Sequence, residues 1–126
     1  MKKIKWILIL ILLLAIISLV VYIFLYIENK PGKLDEFAKC LKNNGAVFYG
    51  TFWCPHCQNQ KNAFGRSAKF LPYVECSTPD GRNQLPICKE KNIEAYPTWE
   101  FADKSRILGE ISLKTLSEKT NCPLPN

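Results

Sequence analysis

The stretch Phe48-Tyr49-Gly50-Thr51-Phe52-Trp53-Cys54-Pro55-His56-Cys57-Gln58 decides the fold. An apolar, aromatic-rich run from Ala46 to Trp53 reads as a buried central strand. Two cysteines three positions apart follow it, and Pro55 between them suits the first turn of a helix. A cysteine at a helix N-terminus faces unpaired N–H groups and the positive end of the helix dipole, which stabilise its thiolate. The spacing lets the second sulfur come within bonding distance across the first turn. Cys54 is thus read as the exposed nucleophile and Cys57 as the more buried resolving thiol, with exchange passing through a mixed disulfide. His56 can place positive charge near Cys54 and favour the reduced form, and a site whose reduced form is stabilised oxidises others.

Residues Trp6 to Ile27 form 22 uncharged positions with Ser18 the one weakly polar member. At about 1.5 Å per residue a helix here spans roughly 33 Å, the thickness of a bilayer's hydrocarbon core. A cleavable signal peptide carries an apolar stretch of only about 7–15 residues and a small-x-small cleavage site, which this run lacks. Trp6, Tyr22 and Tyr26 sit where interfacial aromatics belong. Lys2, Lys3 and Lys5 precede the span and Lys30 and Lys33 follow it, so the positive-inside bias favours a cytoplasmic N-terminus and an extracytoplasmic C-terminal domain at the cell membrane. The expected division is 1–5 cytoplasmic, 6–27 single-pass transmembrane anchor, 28–33 linker and 34–126 folded domain.

The formal charge of +6 says little about partners. Three of the 17 basic residues precede the anchor and all 11 acidic ones follow it, so 14 against 11 leaves +3. That balance, without a basic stripe carrying interleaved aromatics, argues against nucleic acid as a partner. All six cysteines (Cys40, Cys54, Cys57, Cys76, Cys88 and Cys122) fall after the anchor, and an even, dense set in a small exported domain reads as disulfide chemistry. Zinc is the competing reading, with Cys54, Cys57, Cys76 and Cys88 as ligands. The 12-residue separation of the second pair lacks the tight spacing of zinc ribbons, so no metal and no cofactor is expected.

Around the cysteine pair the folded part segments readily. Leu34–Asn43 carries a helical apolar stripe, and a helix from Pro55 toward Lys69 has a weak point at Gly65. Tyr73–Glu75 reads as a strand, Asp80–Asn92 as loop and helix broken by Pro86, Thr98–Ala102 and Arg106–Gly109 as two strands, and Leu113–Thr120 as a last helix.

Phe52-Trp53-Cys54-Pro55-His56-Cys57, followed by Tyr96-Pro97-Thr98, resembles the thioredoxin superfamily, and Cys-Pro-His-Cys resembles its DsbA-type oxidants. The longer text, with Tyr73-Val74-Glu75-Cys76, Tyr96-Pro97-Thr98-Trp99 and Gly109-Glu110 added, is similar to the thioredoxin-like domain fused or partnered to homologues of vitamin K epoxide reductase. The resemblance implies an α/β thioredoxin-like fold, a central mixed sheet flanked by helices, behind one N-terminal transmembrane helix. It implies Cys54, Cys57, His56 and Pro55 as the catalytic motif, and Trp53, Tyr96, cis-Pro97 and Thr98 as the substrate-binding surface. It further implies a Cys76–Cys88 disulfide, either staple or electron relay, which leaves Cys40 and Cys122 as the remaining pair among three possible connectivities. Two departures stand out. The buried acid of thioredoxin proper is replaced by Phe48, and the four-helix quinone-reducing portion is absent from this sequence. The expected function is a membrane-anchored thiol–disulfide oxidoreductase that oxidises exported proteins bearing thiols and is re-oxidised by a membrane partner resembling vitamin K epoxide reductase. The alternatives are a reducing thioredoxin or isomerase, and a non-catalytic binding module for unfolded exported chains.

Overall fold

A computed structural model describes residues 1–125. The chain divides into two compact units, Met1–Pro31 and Gly32–Asn126. The first is one helix, α1 (Lys2–Glu28), of 27 residues. Its apolar side chains run right round the cylinder and none is buried within the unit, so it is long and apolar enough to cross a membrane. The helix exceeds the uncharged run at both ends, because lysine and glutamate are good helix formers and nothing before Asn29 stops the turn.

The second unit runs α2 (Asp35–Asn43), β1 (Val47–Gly50), α3 (Pro55–Asn62), β2 (Tyr73–Glu75), α4 (Pro86–Glu90), β3 (Thr98–Glu100), β4 (Arg106–Leu108) and α5 (Leu113–Thr120). The strands form one mixed sheet in the order β2-β1-β3-β4, with β2 parallel to β1 and both other pairings antiparallel. This is the thioredoxin-like fold class expected from the sequence, a mixed sheet between helices.

Strand alternation explains why β1 is apolar on both faces. Phe48 pairs with Tyr73 on β2 and Trp99 on β3, and its ring stacks on Trp99 at 4.8 Å and meets Tyr73 edge-on at 5.1 Å. That face joins Phe37, Ala38 and Leu41 of α2, Cys57 of α3 and Leu116 of α5 in the main core. On the other side Tyr49 packs with Cys76, Cys88 and Ile93 in a second cluster, with Val47 and Val74 against it.

Several boundaries differ from the sequence expectation. The helix after the cysteines stops at Asn62 and continues as a 3-10 helix over Gly65–Phe70, because Gly65 takes φ +53°. Strand β1 ends at Gly50, since Thr51–Trp53 turn to deliver Cys54. Pro86 starts α4 instead of breaking it, for its missing N–H costs nothing in the first turn.

Candidate functional site: two free thiols above the sheet

The site forms where β1 hands the chain to α3. The Cys54 N–H donates to Thr51 O at 3.2 Å and closes a turn, and Cys54 becomes the N-cap of α3 with Pro55 in the first helical turn. Cys54 and Cys57 are the free cysteines among the described residues. The structure corrects one expectation here: Cys54 is only 6% exposed, so it is not an open nucleophile but a sulfur seen through a narrow gap. Cys57 is fully buried beneath it, and burial pushes its thiol up to about 12.

Across the gap lies the Tyr96–Pro97 peptide, which is cis. The Cys54 thiol donates to Tyr96 O at 3.7 Å, and the Pro97 carbonyl accepts from Gly109 N at 2.8 Å. Thr98 is buried and its hydroxyl donates to Ala95 O at 2.7 Å, so its side chain is turned inward. Trp53 is half exposed, with its indole N–H donating to Ser77 Oγ at 2.9 Å and its ring edge-on to Tyr96 at 6.3 Å. Beside it a cleft of about 130 Å³ is lined by Thr51, Trp53, Ser77, Arg82, Asn83 and Tyr96.

His56 is 69% exposed, and its Nδ1 donates to Glu110 Oε1 at 2.6 Å. The hydrogen bond from His56 holds the Glu110 carboxyl below its usual range, aided by Asn59. The imidazole charge expected to act on Cys54 is thus offset by a carboxylate. The sequence alone assigns Glu110 no role and does not reveal the residue that fixes it in place. Gln60, 2% exposed, donates to Ile111 O at 3.1 Å and accepts from Ile111 N at 2.8 Å, clamping α3 to the segment carrying Glu110. Its one sequence signal is an uncharged amide three positions after Cys57, on the helix face that turns inward.

The remaining cysteines are spent on each other. Cys40 bonds to Cys122 and Cys76 to Cys88. Cys76 and Cys88 therefore do not complete a four-sulfur set with Cys54 and Cys57, and among the described residues no cluster of three or more metal-ligating side chains occurs.

Gly50 is the tightest point. A Cβ there would lie 2.9 Å from Cys57 Sγ and 2.9 Å from the Tyr73 ring. Gly50→Ala should cost about 1–3 kcal/mol, the usual penalty of overpacking, and displace the Cys57 sulfur. A denaturant midpoint unchanged from the parent would refute that crowding.

No protein-family model matches the chain. It is 48% identical over 92 residues to the thiol-disulfide oxidoreductase LTO1 of Arabidopsis thaliana, a match covering 69% of this chain and 24% of that protein. Among solved structures it is similar to mitochondrial thioredoxin 3 of Saccharomyces cerevisiae in its oxidised form, with 21% identity and a TM-score of 0.40 over 70% of this chain and 88% of that one. The chain thus resembles about a quarter of the curated plant relative's length.

Proposed function

We propose that this chain is a membrane-anchored, extracytoplasmic thiol–disulfide oxidoreductase that exchanges disulfides through Cys54 and Cys57. The observation that carries the reading is the stacking of one narrowly accessible thiol, at a helix start, above a second buried thiol and opposite the cis Tyr96–Pro97 peptide. A substrate thiolate attacks Cys54 Sγ of the oxidised pair, Cys57 leaves, and a second substrate thiol then releases Cys54 with a new disulfide in the substrate. The 48% identity to a protein named as a thiol-disulfide oxidoreductase supports the same chemistry.

The remaining assignments are part of the same proposal. Helix α1 serves as the anchor, and two disulfides in so small a unit support an oxidising compartment. Both Cys76 and Cys88 are fully buried and belong to the cluster on the opposite sheet face from Cys57, which favours a staple over an electron relay. Exported proteins bearing thiols are the substrates, contacted by Trp53 and by the main chain of Tyr96 and Thr98. Re-oxidation falls to a separate membrane, quinone-linked protein resembling vitamin K epoxide reductase, and confinement to one surface raises its effective concentration.

A reducing role on the same fold is the second reading, favoured by the Glu110 carboxylate that offsets His56. The reduction potential of the full chain in detergent, measured against glutathione buffers, separates the two. A value toward the roughly −120 mV of DsbA is expected, and one at or below the roughly −270 mV of thioredoxin would overturn the oxidising direction.

A further inference from the structure

The buried Cys57 thiolate released during exchange needs a proton, and β1 offers no acid to supply one, since Phe48 is enclosed by Trp99 and Tyr73. The polar groups near Cys57 come instead from α3 and β2. Lys61 stands one helical turn after Cys57, on the same face of α3. Its ammonium lies 3.3 Å above the centroid of the Tyr73 ring. That ring and Cys57 Sγ both crowd Gly50, each 2.9 Å from the point a Cβ would occupy. The Tyr73 hydroxyl donates to Glu75 Oε2 at 2.7 Å, while Glu75 Oε1 accepts from Ser77 N at 2.9 Å and Phe52 N at 3.3 Å. Glycine at position 50 is what lets the ring and the sulfur share this space.

We propose that Lys61, seated on the Tyr73 ring with Glu75 behind it, hands the proton to Cys57 Sγ when the Cys54–Cys57 bond breaks, and takes it back when the bond re-forms. The assignment rests on the exchange reaction proposed above. A substrate thiolate bonds to Cys54 Sγ, and the electron pair of the Cys54–Cys57 bond leaves on Cys57 Sγ. One Lys61 Nζ proton then moves to that sulfur, leaving a neutral amine that takes the proton back from the Cys57 thiol when the bond re-forms. The substrate is the reductant throughout, and the disulfide is what becomes reduced.

Tyr73 and Glu75 are positioning residues. Burial raises the Tyr73 hydroxyl, and its bond to Glu75 raises it further, so the phenol stays a donor and the ring stays under the ammonium. The titratable groups around the ammonium are Cys57, with Cys54 beyond it, and Tyr73 and Glu75 on β2. Burial lowers Lys61 from the ordinary lysine value, with Glu75 and Cys57 opposing, which brings its proton nearer to transfer at neutral pH.

The test is the rate at which dithiothreitol reduces the oxidised full chain in detergent, from pH 6 to 10, corrected for the dithiol's own ionisation. For the parent the corrected rate should fall as pH rises through the lysine titration, as the proton donor disappears. Lys61→Met should lower the neutral-pH rate about a hundredfold, the lower end of the range for a lost general acid, and flatten the profile. Lys61→Arg keeps a cation on the ring but gives up no proton, so its profile should also be flat and its rate below the parent's. Retention of the parent rate and profile by Lys61→Met would overturn the assignment, and so would full restoration by Lys61→Arg. A parent chain that dithiothreitol does not reduce at Cys54–Cys57 would instead sink the exchange function itself.

Discussion

Cys54→Ala is expected to abolish disulfide exchange, lowering turnover of a reduced test protein by roughly 10³-fold or more, as loss of a covalent nucleophile does. Cys57→Ser should fail differently. Given a test protein that carries a disulfide, the Cys54 thiolate still attacks it and displaces one substrate sulfur as thiolate, but the buried partner that would then release Cys54 is gone, so a mixed disulfide accumulates. Non-reducing electrophoresis after acid quench distinguishes the two: an adduct band with Cys57→Ser and none with Cys54→Ala. Equal activity of Cys54→Ala and the parent would leave a binding module as the better description. Neither substitution should unfold the unit, because the two disulfides and the aromatic stack around Phe48 do not depend on these sulfurs being reactive.

The second large effect falls on stability. Cys40 and Cys122 are 82 positions apart in sequence, whereas Cys76 and Cys88 are 12 apart. Loop-closure entropy makes the long bridge worth about 4–5 kcal/mol and the short one about 3 kcal/mol. A domain of this size is stable by only about 5–15 kcal/mol. Replacing both Cys40 and Cys122 with alanine should therefore remove a third or more of that margin and lower the denaturant midpoint accordingly. The side-chain amide of Asn44 donates to Thr120 O at 2.7 Å beside the bridge, and it cannot by itself hold α2 to the end of α5. A midpoint shift below that of the Cys76/Cys88 double variant would contradict the chain-entropy ranking.

Local signals made most of the fold legible. The 22-residue uncharged run announces α1, and strand, cysteine pair and Pro55 announce the β1–α3 junction, because each depends on residues near one another in sequence. Element ends were less readable. Gly65 could have been tolerated inside a helix, and its positive φ, with the following 3-10 helix lying against α2, shows only in the folded unit. Within the site, Cys54, Cys57, Tyr96 and Pro97 come together as the motifs suggest, but three features arise only in the tertiary structure. Lys61, Tyr73 and Glu75 meet across α3 and β2, and no spacing rule joins positions on two elements. The Gln60–Ile111 clamp spans 51 positions and pairs a side chain with backbone, which leaves no trace in residue type at 111. The shielding of Cys54 to 6% exposure depends on how closely the Tyr96 segment approaches it.

The Cys40–Cys122 bridge also sets an order of events during synthesis. Cys40 leaves the ribosome first and Cys122 last, with the other four cysteines between them. Throughout that interval Cys40 has no native partner but four wrong ones, among them the reactive Cys54. The neighbour-in-sequence pair Cys76–Cys88 can close early, together with the cluster around Tyr49. The bridge that contributes most to the finished unit is thus the one whose first cysteine waits longest for its partner.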